Sequence, residues 1–362
     1  MNTTFPTLLL LIIAIIKFIY EFFCSLKSLI YNVFNFSHST KTHNFFSQSE
    51  NAFQKKKVAI YAIYSKSKLH PNVINTCNTL KKNNYKIVIV HAGEFDYETK
   101  EFENICDILL VKKNIGKDWI SYSYALDFLK FGNDKINANS VLFLNDSVFY
   151  FQSNFQKYLI HSKNSFNLDG MDIYAPYIIQ EFHSHITGWC FELSNKIVNE
   201  PDIQKFFKDC KYIHLSRPKA LLNTEIKFSK ILFNISKNIG VYYDFKNYKK
   251  IRHALKDNSF KINRNGSEDI YEQLKNNHIT HFLALDFLRY MDGFFIKKDL
   301  MYKSNISHSS IFKFINDFKV GAADYIIDDE QIILLKEIMR KFKNKSNLSI
   351  IDKYFYLPFG YK

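Results

Sequence analysis

The chain has 362 residues, enough for one large α/β domain and a smaller appendage, because domains run to about 50–250 residues. Its 49 Lys and Arg residues against 35 Asp and Glu give a net charge of +14, which suits an anionic membrane surface, a nucleotide diphosphate or a nucleic acid. The five cysteines are odd in number and contain no CxxC pair, so neither a disulfide framework nor a zinc site is predicted.

The chain begins with an apolar segment. Residues 8–16 are all apolar, and further apolar residues follow Lys17 and Glu21. The segment does not end in the small-residue cleavage site of a signal peptide. We therefore predict a membrane-associated hydrophobic helix over 1–34, which either spans the bilayer over 6–26 or lies in its interface. A helix packed on the globular part is the alternative. Because basic residues come only after the segment, we expect the remainder of the chain on the cytoplasmic face.

A linker and an α/β domain are predicted next. Residues 35–56 are rich in Ser, Asn, Thr, His and Lys, as linkers are. From residue 57 onward, short apolar runs alternate with helical patterns, which predicts a mostly parallel sheet flanked by helices. The predicted strands are 57–64, 85–91, 107–112, 141–145, 172–175 and 189–193, and the predicted helices are 71–82, 119–131, 152–161, 202–210, 218–238 and 278–290.

The remaining residues, 306–362, are predicted to form a helical C-terminal extension, because 329–343 carries an apolar stripe of helical period. No GxGxxG follows the first strand, which disfavours a dinucleotide-binding oxidoreductase.

Two polar clusters follow predicted strands, where open α/β sheets bind their ligands. The first occupies a loop before a helix, where Gly lets the backbone approach a ligand and the helix N-terminus favours an anion. The clusters are Asn114, Gly116 and Asp118, and Asn145, Asp146 and Ser147. Asp118 binds a nucleotide or caps the helix. Asp146 binds a metal or ribose, or only satisfies a turn. Nearby lysines 112, 113 and 117 either screen a diphosphate or are solvated.

Two histidines, His183 and His185, lie two residues apart before a Gly-Trp turn. This spacing places them on one side of an extended chain, beside Glu181, which indicates a functional cluster more than a lone His would. Lys297 follows Gly-Phe-Phe-Ile and reaches a phosphate or is simply exposed.

These motifs occur together in a recognisable order. They are the loop 114–118, the strand end 142–147, His185 ahead of Gly-Trp-Cys-Phe at 188–191, Thr224-Glu225-Ile226 with Ser229, residues 277–280, and Gly-Phe-Phe-Ile-Lys-Lys at 293–298. Over 57–305 the succession resembles the rhamnan synthesis F family of bacterial glycosyltransferases.

The resemblance implies a nucleotide-binding, Rossmann-like α/β fold of the glycosyltransferase A type (GT-A-like) over 57–305. It implies transfer of rhamnose or another hexose from a nucleotide-diphosphate donor to a glycan or lipid-linked glycan of cell-surface polysaccharide or lipopolysaccharide, with inversion, at a bacterial inner membrane. Candidate catalytic residues are then Asp146, His185 and Glu225, with Glu225 as a possible base or a plain surface residue. Candidate donor-binding residues are Asn114, Gly116, Asp118, Asn145, Ser147 and Lys297.

A divalent metal, Mg²⁺ or Mn²⁺, is compatible with the pattern, with Asp146 as ligand, although Asn145-Asp146-Ser147 offers one carboxylate where two are common. Two other functions remain open. One is a non-catalytic glycan-binding or scaffold protein of the assembly machinery. The other is a membrane-bound nucleic-acid factor, which the high pI suggests but the scattered lysines do not support, so no nucleic-acid partner is expected.

Overall fold

In the computed structural model, the described residues are 53–114, 118–130, 135–179, 183–210, 220–244 and 292–298, with 41–44 and eight residues between 15 and 26. The predicted helices 278–290 and 329–343 and the extension 306–362 lie outside the described residues. Among the residues that are described, no helix has the length and apolar character needed to cross a bilayer. The described residues of 15–26 are helical, and their large apolar side chains are exposed.

The chain divides into two compact units, and the first is built on an eight-stranded sheet. Its strands are β1 (Lys41–Asn44), β2 (Lys57–Ile63), β3 (Tyr85–Ala92), β4 (Ile108–Lys112), β5 (Ser140–Asn145), β7 (Ile173–Ala175), β10 (Cys190–Ser194) and β11 (Ile239–Val241). Their order across the sheet is β1-β4-β3-β2-β5-β10-β7-β11. The four central strands β4, β3, β2 and β5 are parallel, as predicted.

Two strands, β10 and β1, run against this direction, and the sheet is otherwise parallel as predicted. Strand β10 is antiparallel to both β5 and β7, because the chain enters it at the carboxyl end of β5, where the N–H of Asn145 donates to the carbonyl of Trp189. Strand β1 lies in the segment predicted as a linker and pairs antiparallel with β4. An edge strand needs only backbone hydrogen bonds on one side, so a polar sequence forms it without an apolar pattern.

The helices largely follow the predicted bounds. They are α1 (Pro71–Lys82), α2 (Asp118–Leu129), α3 (Gln152–Leu168), α4 (Asn195–Val198), α5 (Pro201–Asp209) and α6 (Lys227–Ile235), with a 3₁₀ turn at Thr99–Phe102 and a π-helical turn at Leu222–Ile226. Helix α3 continues one to two turns beyond the predicted end. There the buried hydroxyl of Ser162 donates to Glu192 of β10 (2.6 Å), a polar contact that an apolar pattern does not reveal.

The first unit buries residues on both faces of the sheet, such as Ile89 and Leu109 on one face, and a large buried cluster lies on the other. Alternate residues of the strands, such as Ile108 and Leu110 of β4, pack with α2, α5 and α6 in a single buried cluster. Aromatic rings dominate the contact, with Trp119 of α2 against Phe191 of β10 and Phe228 of α6. Burial of such a side chain contributes about 1.5–3 kcal/mol. The core therefore fixes α2, and with it the residue at its beginning, Asp118.

Two short hairpins complete the described strands. In the first unit, β8 (Ile178–Ile179) pairs antiparallel with β9 (His185–Ile186). In the second unit, β6 (Val148–Tyr150) pairs antiparallel with β12 (Phe295–Lys297). The amide of Asn72 binds both backbone groups of Tyr150, donating to its carbonyl (2.9 Å) and accepting from its N–H (3.2 Å).

Candidate functional site

The carboxyl end of β5 carries the first candidate, Asp146. Its backbone N–H donates to the carbonyl of Ala62 (3.0 Å), and its Oδ2 accepts from the backbone N–H of Tyr64 (3.0 Å). Both partners belong to the end of β2, so the side chain bridges two parallel strands instead of closing a local turn. Asp146 is half-buried. The carboxylate is thus held at the sheet edge where α/β proteins bind ligands.

Asn145 and Asp118 are brought together although 27 positions separate them. The amide Nδ2 of Asn145 donates to Oδ2 of Asp118 (2.5 Å), and Asp118 is the first residue of α2. The pKa of Asp118 is raised from 3.8 to about 7, mainly by burial and also by the carboxylates of Asp146 and Glu225, while the hydrogen bond from Asn145 and the charge of Lys112 oppose the rise. Near neutral pH, this carboxyl therefore holds a proton in a large fraction of molecules.

Glu225 reaches the same region from the π-helical turn. A methyl group at Gly188 would lie 3.2 Å from Cγ of Glu225 and 3.0 Å from Cζ2 of Trp119, so these side chains pack directly against the glycine. The hydroxyl of Tyr122 donates to the Gly188 carbonyl (2.9 Å) and fixes the chain there. Such π-helical turns are frequent at functional sites. The charges of Asp146 and Glu225 both act on Asp118. We call these three residues the acidic group.

His185 is buried in β9, and its Nδ1 lies 2.7 Å from the carbonyl of His183. Because a carbonyl accepts, we assign the proton to Nδ1, which leaves the Nε2 lone pair to accept a proton. His183 is exposed and contacts His185 through its backbone carbonyl, whereas His185 is buried. The hydroxyl of Ser229 accepts from the N–H of Ile186 (3.0 Å) and donates to the carbonyl of Glu225 (2.7 Å), which ties β9 to the π-helical turn.

The first polar loop is described in part. Asn114 is exposed, and Gly93, at a φ of +97°, lets the loop after β3 approach it: a methyl group at Gly93 would lie 3.2 Å from Cβ of Asn114. Gly116 and Lys117, like Glu181 beside the histidines, lie outside the described residues.

Ser147 and Lys297 belong to the second unit. The carbonyl of Ser147 accepts from the N–H of Lys298 (2.9 Å), and Lys297 lies opposite Val148 in the β6–β12 pair.

Two site residues were missed from the sequence. Tyr64 directly follows β2 and is 52% exposed; its backbone N–H contacts Asp146, and its ring lies near Gly93. His91 lies near the end of β3, where its Nδ1 contacts the carbonyl of Gly93 (2.9 Å) and its Nε2 contacts the carbonyl of Ser65 (2.8 Å). Burial lowers the pKa of His91. The rule that selected Asp146, a polar residue at the end of a parallel strand, selects both if applied to β2 and β3.

The described part of the chain contains no group of three or more His, Cys, Asp or Glu residues placed to hold a metal ion. Asp146 offers one carboxylate at the edge of the sheet. Mg²⁺ commonly uses one or two protein carboxylates and completes its shell with substrate phosphates and water. Asp146 would therefore suit a metal ion that a diphosphate also coordinates.

No family model matches the chain. It is 30% identical over 112 residues to the virulence protein VirA of Vibrio anguillarum (strain ATCC 68554 / 775), a match that covers 31% of this chain and 36% of that relative's length.

Among solved structures, it is similar to the glycosyltransferase GlyE of Streptococcus pneumoniae TIGR4 (15% identity, TM-score 0.35, 81% of this chain and 64% of that one). It is also similar to a glycosyltransferase involved in glycosylation of the major capsid of PBCV-1 (10% identity, TM-score 0.31, 55% and 88%). At these identities and TM-scores the likenesses assign no function, and we base the proposal below on the chain's own residues.

Proposed function

We propose that this protein is a glycosyltransferase that moves a sugar from a nucleotide-diphosphate donor to a growing cell-surface glycan, with inversion at the anomeric carbon. The observation that carries the proposal is the joining of Asp118, Asn145 and Asp146 at the carboxyl edge of the parallel strands. The resemblance of the motif order to the rhamnan synthesis F family supports rhamnose or another hexose as the sugar, and polysaccharide or lipopolysaccharide as the acceptor.

The donor side is assigned to Asn145, Asp146 and Asp118. A carboxylate facing the edge accepts hydrogen bonds from ribose or sugar hydroxyls, and a protonated carboxyl donates one, so Asp146 and Asp118 offer complementary partners. Tyr64, which is exposed and contacts Asp146 through its backbone N–H, is a proposed stacking surface for a base or sugar. Asn114, Gly116, Ser147 and Lys297 remain proposed donor contacts.

The acceptor side is assigned to Glu225 and His185. In the proposed step, the acceptor hydroxyl oxygen bonds to the anomeric carbon, and the bond from that carbon to the diphosphate oxygen breaks with its electron pair leaving on the diphosphate. The hydroxyl proton passes to the Glu225 carboxylate or to Nε2 of His185, whose Nδ1 is held by the carbonyl of His183. A divalent metal held by Asp146, when bound, would neutralise charge on the diphosphate.

We also propose that the N-terminal segment anchors the protein at the cytoplasmic face of a membrane. The exposed apolar side chains of Phe18, Phe22 and Phe23 support this proposal, since an interfacial helix buries such a face in the headgroup region.

A thermal-shift panel of nucleotide sugars, with and without Mn²⁺, tests the function. A ligand at a hundredfold excess over its dissociation constant stabilises the folded state by about 2.7 kcal/mol. We expect one nucleotide sugar to stabilise the protein and to be slowly hydrolysed by it. If a glycan stabilises the protein while no nucleotide sugar binds or is hydrolysed, the protein is a glycan-binding or scaffold component instead.

A further inference from the structure

Among the lysines in the described part of the chain, Lys112 is the buried one, with 3% of its surface exposed. It is the last residue of β4 and lies opposite Ala92 of β3, and its carbonyl accepts from the N–H of Gly93 (2.6 Å). Its backbone is thus fixed at the same edge of the sheet as the acidic group. Since side chains alternate along a strand, Lys112 continues the row of Ile108 and Leu110, which face α2 in the core.

The charged groups around Lys112 come from three elements. Asp118 of α2 raises its pKa, Lys112 in turn lowers the pKa of His91 of β3, and Asp146 after β5 acts on both Asp118 and His91. The ammonium Nζ donates to the carbonyl of Lys113 (3.3 Å). Burial dominates, and it lowers the pKa of Lys112 from 10.5 to about 8.

A buried lysine beside the beginning of α2 is electrostatically unfavourable, because the N-terminal end of a helix is itself positive. Asp118 offsets this cost only in part, since its own carboxyl is protonated in many molecules near neutral pH. An anion bound at this edge would interact favourably with the positive helix end and with the ammonium. Groups placed at a cost to stability are characteristic of binding and catalytic sites.

We propose that Lys112 is the phosphate-binding cation of this site and that its ammonium contacts the diphosphate of the bound donor. This inference rests on the proposed function, because the donor is what brings a diphosphate to this edge. The assignment applies to Lys112 and not to Lys113, which is the next residue in the sequence and is exposed.

The inference predicts a particular pH dependence of binding. The diphosphate favours the ammonium form, so affinity falls as pH rises through about 8, by up to tenfold per pH unit. Nucleotide sugars carry a diphosphate diester whose charge is fixed in this range, so the slope reports on the protein.

Isothermal titration calorimetry measures the dissociation constants of UDP-glucose, UDP-N-acetylglucosamine, dTDP-rhamnose, GDP-mannose and inorganic pyrophosphate. The affinity for nucleotide sugars is also measured from pH 7 to 9. Lys112→Met keeps the apolar stem and removes the charge, and should weaken nucleotide-sugar and pyrophosphate binding by at least about tenfold. Lys112→Arg keeps a permanent charge, and should bind with little pH dependence above pH 8, where Asp118 is already largely ionised. The control Lys130→Met removes a charge just after the other end of α2 and should match the wild type.

Unchanged affinity in a folded Lys112→Met variant overturns the inference, as does a pH slope above pH 8 that persists in Lys112→Arg. If Lys112→Met does not fold, the wild type still decides: calorimetry at pH 8.5 in buffers of different ionisation enthalpy must show proton uptake on binding, and its absence overturns the inference. Lys112-dependent binding of pyrophosphate without binding of any nucleotide sugar would sustain Lys112 as the phosphate-binding cation while refuting the proposed donor. No binding of any probe refutes both.

Discussion

Replacing Asp118 by Asn should make the protein more stable at neutral pH. The carboxyl has a pKa of about 7 in the folded protein against an ordinary 3.8, because burial and Asp146 disfavour its charge. The folded state therefore keeps a proton that the unfolded chain releases. The two values differ by about 3 pH units, which at about 1.4 kcal/mol per unit corresponds to about 4 kcal/mol.

The sign follows from proton binding. Between pH 4 and pH 7 the folded state binds more protons than the unfolded state, so the free energy of unfolding of the wild type falls as pH rises, and the loss is complete above pH 7. Asparagine cannot ionise, and its amide oxygen still accepts the bond from Asn145. We expect Asp118→Asn to match the wild type near pH 4 and to exceed its stability by about 2–4 kcal/mol at pH 8, allowing for partial solvent screening.

Urea unfolding at pH 4.5, 6, 7 and 8 provides the measurement. Asp127→Asn, an exposed change on the same helix, is the matched control and should stay within about 0.5 kcal/mol of the wild type at every pH. Asp118→Asn should bind the donor more weakly even as its stability rises, as is expected for a site residue that lowers the stability of the folded state. A variant that is less stable at pH 8, or a stability difference independent of pH, would refute the reasoning. In a separate Asp118→Ala variant, a loss of about 1 kcal/mol of stability with unchanged donor affinity would identify Asp118 as only a helix cap.

Three further outcomes are expected. Asp146→Asn should abolish sugar transfer at an unchanged melting temperature and lower the pKa of Asp118, measured by carboxyl NMR; full activity would remove Asp146 from the site. Gly188→Ala should cost about 1–3 kcal/mol in urea unfolding and slow transfer, because the added methyl group meets Trp119 and Glu225; wild-type behaviour in both assays contradicts this packing. Deletion of 1–35 should give a protein that still binds its donor but transfers poorly to a lipid-linked acceptor, whereas lost donor binding would mean that the segment packs on the globular part.

The sequence by itself determined the central strands and most described helices. Apolar runs of strand length, separated by the helical pattern at Pro71–Lys82, predicted β2, β3 and β4 and their parallel order, and the structure confirms them. Asn145 and Asp146 could be placed at a sheet edge because they stand at the end of a predicted strand. The parallel core follows from local pattern and chain connection, and both are visible in a sequence.

Other features depended on contacts between distant residues. Strand β1 forms from a polar segment because β4 offers it backbone partners, and α3 extends because Ser162 meets Glu192. Neither contact leaves an apolar pattern in the sequence. The antiparallel direction of β10 likewise depends on where the chain crosses the edge of the sheet.

The chemistry of the site was decided only by the tertiary structure. The sequence could name Asp118, Asp146 and Glu225, but it could not show that burial and mutual repulsion raise the pKa of Asp118 to about 7, or that Lys112 is buried while Lys113 is exposed. A pKa is set by desolvation and by charges within a few ångströms, whatever their separation along the chain. Residue type and order are local properties, whereas the electrostatic environment that gives these residues their chemistry exists only once the strands and helices have packed.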